Sequence, residues 1–237
     1  MPDPLSLPHV VIVTGTGTEV GKTVATAALA VALRARGSTV LVVKPAQTGV
    51  YAGQPGDVEW VRSRVGPDPG VETVELVRLR DPLAPDAAAR REGVELPPVA
   101  AHARTIAERS GSFDVVLVEG AGGLLVRLDS KGGTLADLGT ALRYKGVGAG
   151  FVVVAAAGLG TLNTTALTAE ALRRRDLPLL GVIIGSWPTQ PGLAEESNLE
   201  DLPSIAGAPL LGRIPEGVGS LAPEVFRAEV PSWLAFT

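Results

Sequence analysis

The chain has 237 residues, 46% hydrophobic and 19% charged, which is enough apolar material for the core of one α/β domain. A formal net charge of -4 gives no broad attraction to nucleic acid or to an anionic membrane, so neither partner is expected and any anion site has to be local. With no cysteine, disulfides and thiolate metal sites are excluded, and two histidines, His9 and His102, are too few for a histidine-rich zinc site.

Residues 1–8 carry Asp3 but no basic residue and read as a tail. The apolar run that follows is too short for a signal peptide or a spanning helix, and a cytoplasmic location is the matching expectation. His9 to Thr14 is the first of five short, nearly unbroken apolar runs and is expected as a strand buried on both faces. It leads into Gly15-Thr16-Gly17-Thr18-Glu19-Val20-Gly21-Lys22-Thr23 and then an Ala-rich helix, Lys22 to Arg36, closed by Gly37. Strand, glycine-rich turn and helix in that order make a P-loop. Its backbone N–H groups converge on phosphate, Lys22 neutralises β and γ oxygens, and the Thr23 hydroxyl suits Mg²⁺. The usual spacing is altered, because Thr16 stands where the first glycine is expected and Gly15 lies one place earlier.

The second strand is expected over Thr39 to Val43, with Lys44-Pro45-Ala46-Gln47-Thr48-Gly49 at its tip. Lys44 there is either a surface lysine or a second positive charge for a γ-phosphate. Val50 to Pro98 is rich in Gly and Pro and reads as loops around short elements, with a helical segment at Val58 to Val65. Asp57, just before that segment, is either a second carboxylate for Mg²⁺ or the N-cap of the helix. After a helical segment from Pro98 to Ser110, the third strand is expected over Asp114 to Val118, followed by Glu119-Gly120-Ala121-Gly122-Gly123. An acid ending an apolar strand beside a P-loop suits Mg²⁺, although it can also simply face solvent.

A helix over Leu135 to Arg143, a strand over Gly150 to Ala155, a helix over Thr161 to Arg175 and a strand over Leu179 to Ile184 complete the clear pattern. Pro209 to Ile214 is a candidate sixth strand, and the last twenty or so residues have no assignment. Alternation of this kind predicts a single doubly wound α/β domain with a mainly parallel sheet of the P-loop NTPase type, its ligands beyond the carboxyl ends of the strands.

Gly15 to Thr23, Lys44 to Gly49, Asp57, Glu119 to Gly123 and Gly160-Thr161-Leu162-Asn163 together resemble the dethiobiotin synthetase family in identity, order and spacing. The resemblance implies a Mg²⁺-dependent ligase of biotin biosynthesis. In it, 7,8-diaminononanoate takes up CO₂ as a carbamate, the carbamate attacks the γ-phosphate to give a carbamic–phosphoric anhydride, and the second amine closes the ureido ring. It also implies roles for residues. Lys44 and Lys22 are catalytic, and Thr23, Asp57 and Glu119 hold Mg²⁺. Thr18, Glu19, Val20, Gly21, Lys22, Thr23, Glu119, Gly120, Ala121, Gly122, Gly185, Ser186, Pro215, Glu216 and Gly217 surround the nucleotide. Thr18, Thr48 and Gly122 lie near the diamine, while Gly160, Thr161, Leu162 and Asn163 of a neighbouring subunit receive its carboxylate, so a homodimer is expected.

Two departures stand out. Gly17 replaces an Asp frequent in the family, and Gly185-Ser186 stands where a common Asn-Asp pair reads adenine. ATP is therefore expected to hold no strong preference over another triphosphate such as CTP. Rival readings are a cobyrinate-amidating type of synthetase, which usually adds a glutaminase domain with a nucleophilic cysteine, and a partitioning or cell-division switch ATPase. The latter typically carries a second lysine early in its P-loop, and Lys22 is the only lysine in this loop.

Overall fold

A computed structural model describes residues 7–235, so residues 1–6, the greater part of the expected tail, lie outside it. In chain order the strands are β1 (Val10–Gly15), β2 (Val40–Lys44), β3 (Val71–Glu75), β4 (Val115–Gly123), β5 (Ala149–Ala155), β6 (Leu179–Trp187) and β7 (Leu210–Pro215). The helices are α1 (Lys22–Ala35), α2 (Asp57–Val65), α3 (Pro85–Glu92), α4 (Val99–Ser110), α5 (Leu135–Tyr144), α6 (Thr161–Arg173), α7 (Leu193–Ala206) and α8 (Pro223–Trp233). The strands form one seven-stranded sheet in the order β3-β2-β4-β1-β5-β6-β7, and the pairings that join them are parallel.

The unbroken apolar runs have the cause expected of them. Along β1, Val11 and Val13 enter one core while Val10 and Ile12 enter the other, and β2, β4 and β5 divide in the same way. The first core lies under α1, α2 and α8, where Phe226 packs edge-on between Trp60 and Trp233. The second lies under α4, α5 and the end of α6. No helix among the described residues is long and apolar enough to cross a membrane.

The sheet extends further than the sequence indicated. The candidate strand at 209–214 is β7, and β4 continues past Val118 through Glu119 to Gly123. The stretch expected as loops around short elements holds, besides α2, a five-residue strand, β3, and an eight-residue helix, α3. As the edge strand, β3 pairs among the described residues with β2 alone and carries glutamates at 72 and 75, so it lacks the two-faced apolar signature. Asp57 does not cap α2: it is the first helical residue, and Gly56 occupies the N-cap position.

Gly139 of α5 is a packing requirement, because a Cβ there would lie 2.6 Å from Cζ of the fully buried Phe151 and 2.7 Å from its Cε2. Gly139→Ala gains about 1 kcal/mol of helix propensity but overpacks a rigid ring at about 1–3 kcal/mol. The expected result is a lower urea midpoint at unchanged m-value, whereas a raised midpoint would show that the ring gives way.

Candidate active site

The chain leaves β1 through a turn that requires glycine at positions 15 and 21. A Cβ on Gly15 would meet the Gly17 carbonyl oxygen and Val20 Cγ2, each at 2.8 Å. Gly21 is left-handed at φ 92°, and Glu19, at φ 60°, takes the same region without being glycine, an uncommon and strained state. Gly21 is the N-cap of α1 and no side chain caps that end, so first-turn N–H groups stay available where an anion would sit. Lys22 folds back over the loop, its Nζ donating to the Gly17 carbonyl at 2.8 Å.

Sheet order determines what meets this loop. Strand β4 lies between β1 and β2, with Val13 level with Glu119 and Val43 level with Val118, so Lys44 and Glu119 emerge side by side. The Lys44 ammonium contacts Glu119 Oε1 at 2.8 Å and Asp57 Oδ2 at 2.5 Å, and donates to the Gly120 carbonyl at 3.1 Å. The Thr23 hydroxyl donates to the same Glu119 Oε1 at 2.8 Å. A continuous polar chain thus runs from Asp57 through Lys44 and Glu119 to the P-loop. Glu119 is 1% exposed and Lys44 4%, so neither is a solvated surface group.

The two lysines differ electrostatically. Burial alone would lower the Lys44 pKa, but Glu119 and Asp57, by charge and hydrogen bond, raise it above the ordinary 10.5. Burial and the neighbouring Lys44 charge lower Lys22, with Glu119 and Asp57 opposing. Lys44 is therefore committed to its carboxylates, whereas Lys22 carries a positive charge that a phosphate would stabilise.

These groups line a cleft of about 800 Å³, together with Thr18, Glu19, Gly21, Thr48, Gly120, Ala121 and Gly122. Thr18 and Gly122 adjoin, since a Cβ on Gly122 would lie 3.7 Å from Thr18 Oγ1. The remaining expected residues lie elsewhere. Gly185 packs on the far side of the P-loop, where a Cβ would collide with the Val20 carbonyl oxygen. Ser186 follows it on β6, and Pro215 to Gly217 lie alongside at the end of β7. There the Glu216 N–H donates to the Trp187 carbonyl at 2.7 Å, and its carboxylate accepts from the N–H and hydroxyl of Thr189. Gly160 to Asn163 begin α6 beyond β5 and do not line the cleft of their own chain; Thr161 Oγ1 donates to the Ala156 carbonyl at 2.7 Å.

Sequence reasoning missed several contributors. Pro82, Leu83, Ala84 and Pro85, in the stretch without an assigned role, form a wall of the cleft with Val126. Asp129, 4% exposed, accepts the backbone N–H groups of Val99, Lys131 and Gly133 and so fixes the loop that follows Gly123. Asp129-Ser130-Lys131-Gly132 is a recognisable turn sequence, but its link to Val99 is not local and leaves no sequence signal.

Among the described residues no three His, Cys, Asp or Glu side chains cluster as a ready-made metal cage. Two carboxylates and a hydroxyl at the P-loop do suit Mg²⁺, which takes few protein oxygens and completes its shell with phosphate and water. In the nucleotide-free protein, NMR of the lysine side-chain amines should show Lys22 titrating below 10.5 and Lys44 above it. Stability contributed by the raised Lys44 is then fully present below the unfolded value and lost only as pH rises through the higher folded value. The opposite order of titration would overturn the assignment of charge in the cleft.

The profile of the AAA domain family matches residues 9–222. The ATP-dependent dethiobiotin synthetase BioD of Streptomyces avermitilis is 55% identical over 228 residues, covering 95% of this chain and 92% of that protein. Those of Streptomyces coelicolor and Rhodococcus jostii are 53% and 51% identical, covering 95% and 96% of this chain and 92% and 95% of theirs. Among solved structures, the septum site-determining protein MinD of Pyrococcus horikoshii, complexed with Mg-ADP, matches at TM-score 0.59 and 18% identity, covering 94% of this chain and 90% of that one. At that identity the match speaks for the fold alone. The sequence relatives span nearly the whole chain on both sides of the comparison, and the chain belongs to the ATP-dependent dethiobiotin synthetase family.

Proposed function

We propose that this protein makes dethiobiotin from 7,8-diaminononanoate, CO₂ and a nucleoside triphosphate, releasing the diphosphate and inorganic phosphate. The observation that carries the reading is the 51–55% identity with dethiobiotin synthetases along nearly the full length. The rival switch ATPase and cobyrinate-amidating readings have no support of that strength.

The cleft geometry suits the chemistry. A carbamate and a triphosphate are both anionic, and bringing them together requires fixed positive charge beside them. Lys22 and the free N–H groups of the α1 N-terminus meet the phosphates. Lys44, held in place by Glu119 and Asp57, faces the carbamate and the charge that develops as its oxygen attacks the γ-phosphorus. Mg²⁺, when bound, would rest on Thr23, Asp57 and Glu119 and offset charge on the β and γ oxygens. Thr18, Thr48 and Gly122 adjoin the reacting amines, and Pro82, Leu83 and Val126 offer apolar surface to the alkyl chain.

The uncapped α6 N-terminus at Gly160 to Asn163 receives the substrate carboxylate across a homodimer interface, in keeping with its place outside the cleft of its own chain. On the base side, Gly185 abuts the P-loop and the Glu216 carboxylate is engaged by Thr189. Backbone groups near Gly185 and at 215–217 then provide base contacts, with weak discrimination between ATP and CTP. The reaction is placed in the cytoplasm.

Mass spectrometry of mixtures of diaminononanoate, bicarbonate, Mg²⁺ and each triphosphate should detect dethiobiotin, and its absence with all triphosphates would refute the proposal. Lys44→Ala, shown folded by circular dichroism, should lose at least about 100-fold in turnover, the scale of removing one electrostatic stabiliser. Glu119→Gln should raise the Mg²⁺ concentration for half-maximal rate, and an unchanged requirement would remove Glu119 from the metal site. Competition titration with ATP bound more than about tenfold tighter than CTP, a gap of about 1.4 kcal/mol, would end the weak-selectivity reading.

A further inference from the structure

Gln47 lies in the cleft wall between two groups assigned roles above, yet has no role itself. It is 5% exposed, and its backbone is fixed on both sides: its N–H donates to the Val77 carbonyl at 2.8 Å, and its carbonyl accepts the Leu79 N–H at 2.9 Å. Its side-chain amide makes two further bonds. Nε2 donates to the Thr48 carbonyl at 3.1 Å, and Oε1 accepts the backbone N–H of Asp57 at 2.8 Å.

The second of these bonds fills a local deficit. Helix α2 begins at Asp57 behind a glycine, so no side chain at the N-cap can accept a first-turn N–H. Gln47 supplies that acceptor from ten positions earlier in the chain. The fit is close, since a Cβ on Gly56 would lie 2.9 Å from Gln47 Oε1 and 3.0 Å from both Arg78 Nη2 and Glu75 Oε2. Asp57 needs such a tether more than Glu119 does. Glu119 projects from a central strand with a side chain 2% exposed, whereas the Asp57 side chain is 31% exposed at the start of a helix.

We propose that Gln47 is a positioning residue: its amide ties the start of α2 to the tip of β2 and so holds the Asp57 carboxylate against Lys44. This rests on the reading of Lys44 and Asp57 given under the proposed function. It predicts that Gln47 acts on turnover through Asp57 rather than through the packing it fills.

The test is a double-mutant cycle with Gln47→Met, which keeps length and apolar volume but loses both hydrogen bonds, and Asp57→Asn. Gln47→Met is expected to lower kcat about tenfold, within the range for a slightly misplaced catalytic group, with the triphosphate KM changed by less than about twofold. In the Asp57→Asn background the same substitution should change kcat by less than about twofold. Additive losses, or wild-type kcat in Gln47→Met, would overturn the proposal. Amide hydrogen exchange on the unaltered protein gives an answer even if Gln47→Met does not fold: the Asp57 N–H should be protected, and an Asp57 N–H exchanging at the free-peptide rate would overturn the tether. A wild-type protein that forms no dethiobiotin while that amide stays protected would instead strike the functional reading alone.

Discussion

An ammonium group removed from water between two carboxylates governs the arrangement of this molecule's cleft. Leaving one such charge without a partner costs several kcal/mol, so Lys44 and Glu119 are tolerable in the interior only together, with the partly exposed Asp57 as a second partner at the rim. Lys44 meets Glu119 because β2 and β4 are neighbours, and Glu119 reaches the P-loop because β4 also adjoins β1. Thr23, bonded to the carboxylate oxygen that holds Lys44, then ties the P-loop to the same constellation. Mutual satisfaction among these groups leaves Lys22, the less well-matched cation, to respond to an incoming anion.

Much of this was legible in the sequence, for identifiable reasons. Strands covered on both faces have little room for polar residues, so β1, β2, β4, β5 and β6 appear as unbroken apolar runs, and the P-loop declares itself because glycine, lysine and threonine must follow the first of them. The cleft-lining residues Thr18, Glu19, Gly21 to Thr23 and Glu119 to Gly122 were therefore nameable from local pattern. That Lys44 faces Glu119 was not, because strand register is a property of two distant segments.

Other elements were hidden for equally physical reasons. The edge strand β3 has one hydrogen-bonded neighbour among the described residues and reads Val-Glu-Thr-Val-Glu, without apolar alternation, which resembles a loop among so many prolines. Helices α7 and α8 contain Pro203 and Pro231, residues that ordinarily argue against a helix interior. Pro85 misled in the opposite way, since it marks the beginning of α3 rather than a break. The alternatives left for Asp57 separated only when Gly56 took the capping position and the Asp57 carboxylate turned to Lys44.

Strand β1 also works as a partition. On one flank, β4 and β2 deliver Glu119 and Lys44, and the segments after β2 and β3 deliver Asp57 and Pro82 to Pro85. On the other, β6 braces the P-loop through Gly185, and β7 leads to the Glu216 clasp on Thr189. Because separate stretches of chain build the two flanks, substitutions around Lys44 and Glu119 need not disturb the surface around Gly185 and Glu216. A scaffold divided in this manner can diversify its two flanks as independent traits.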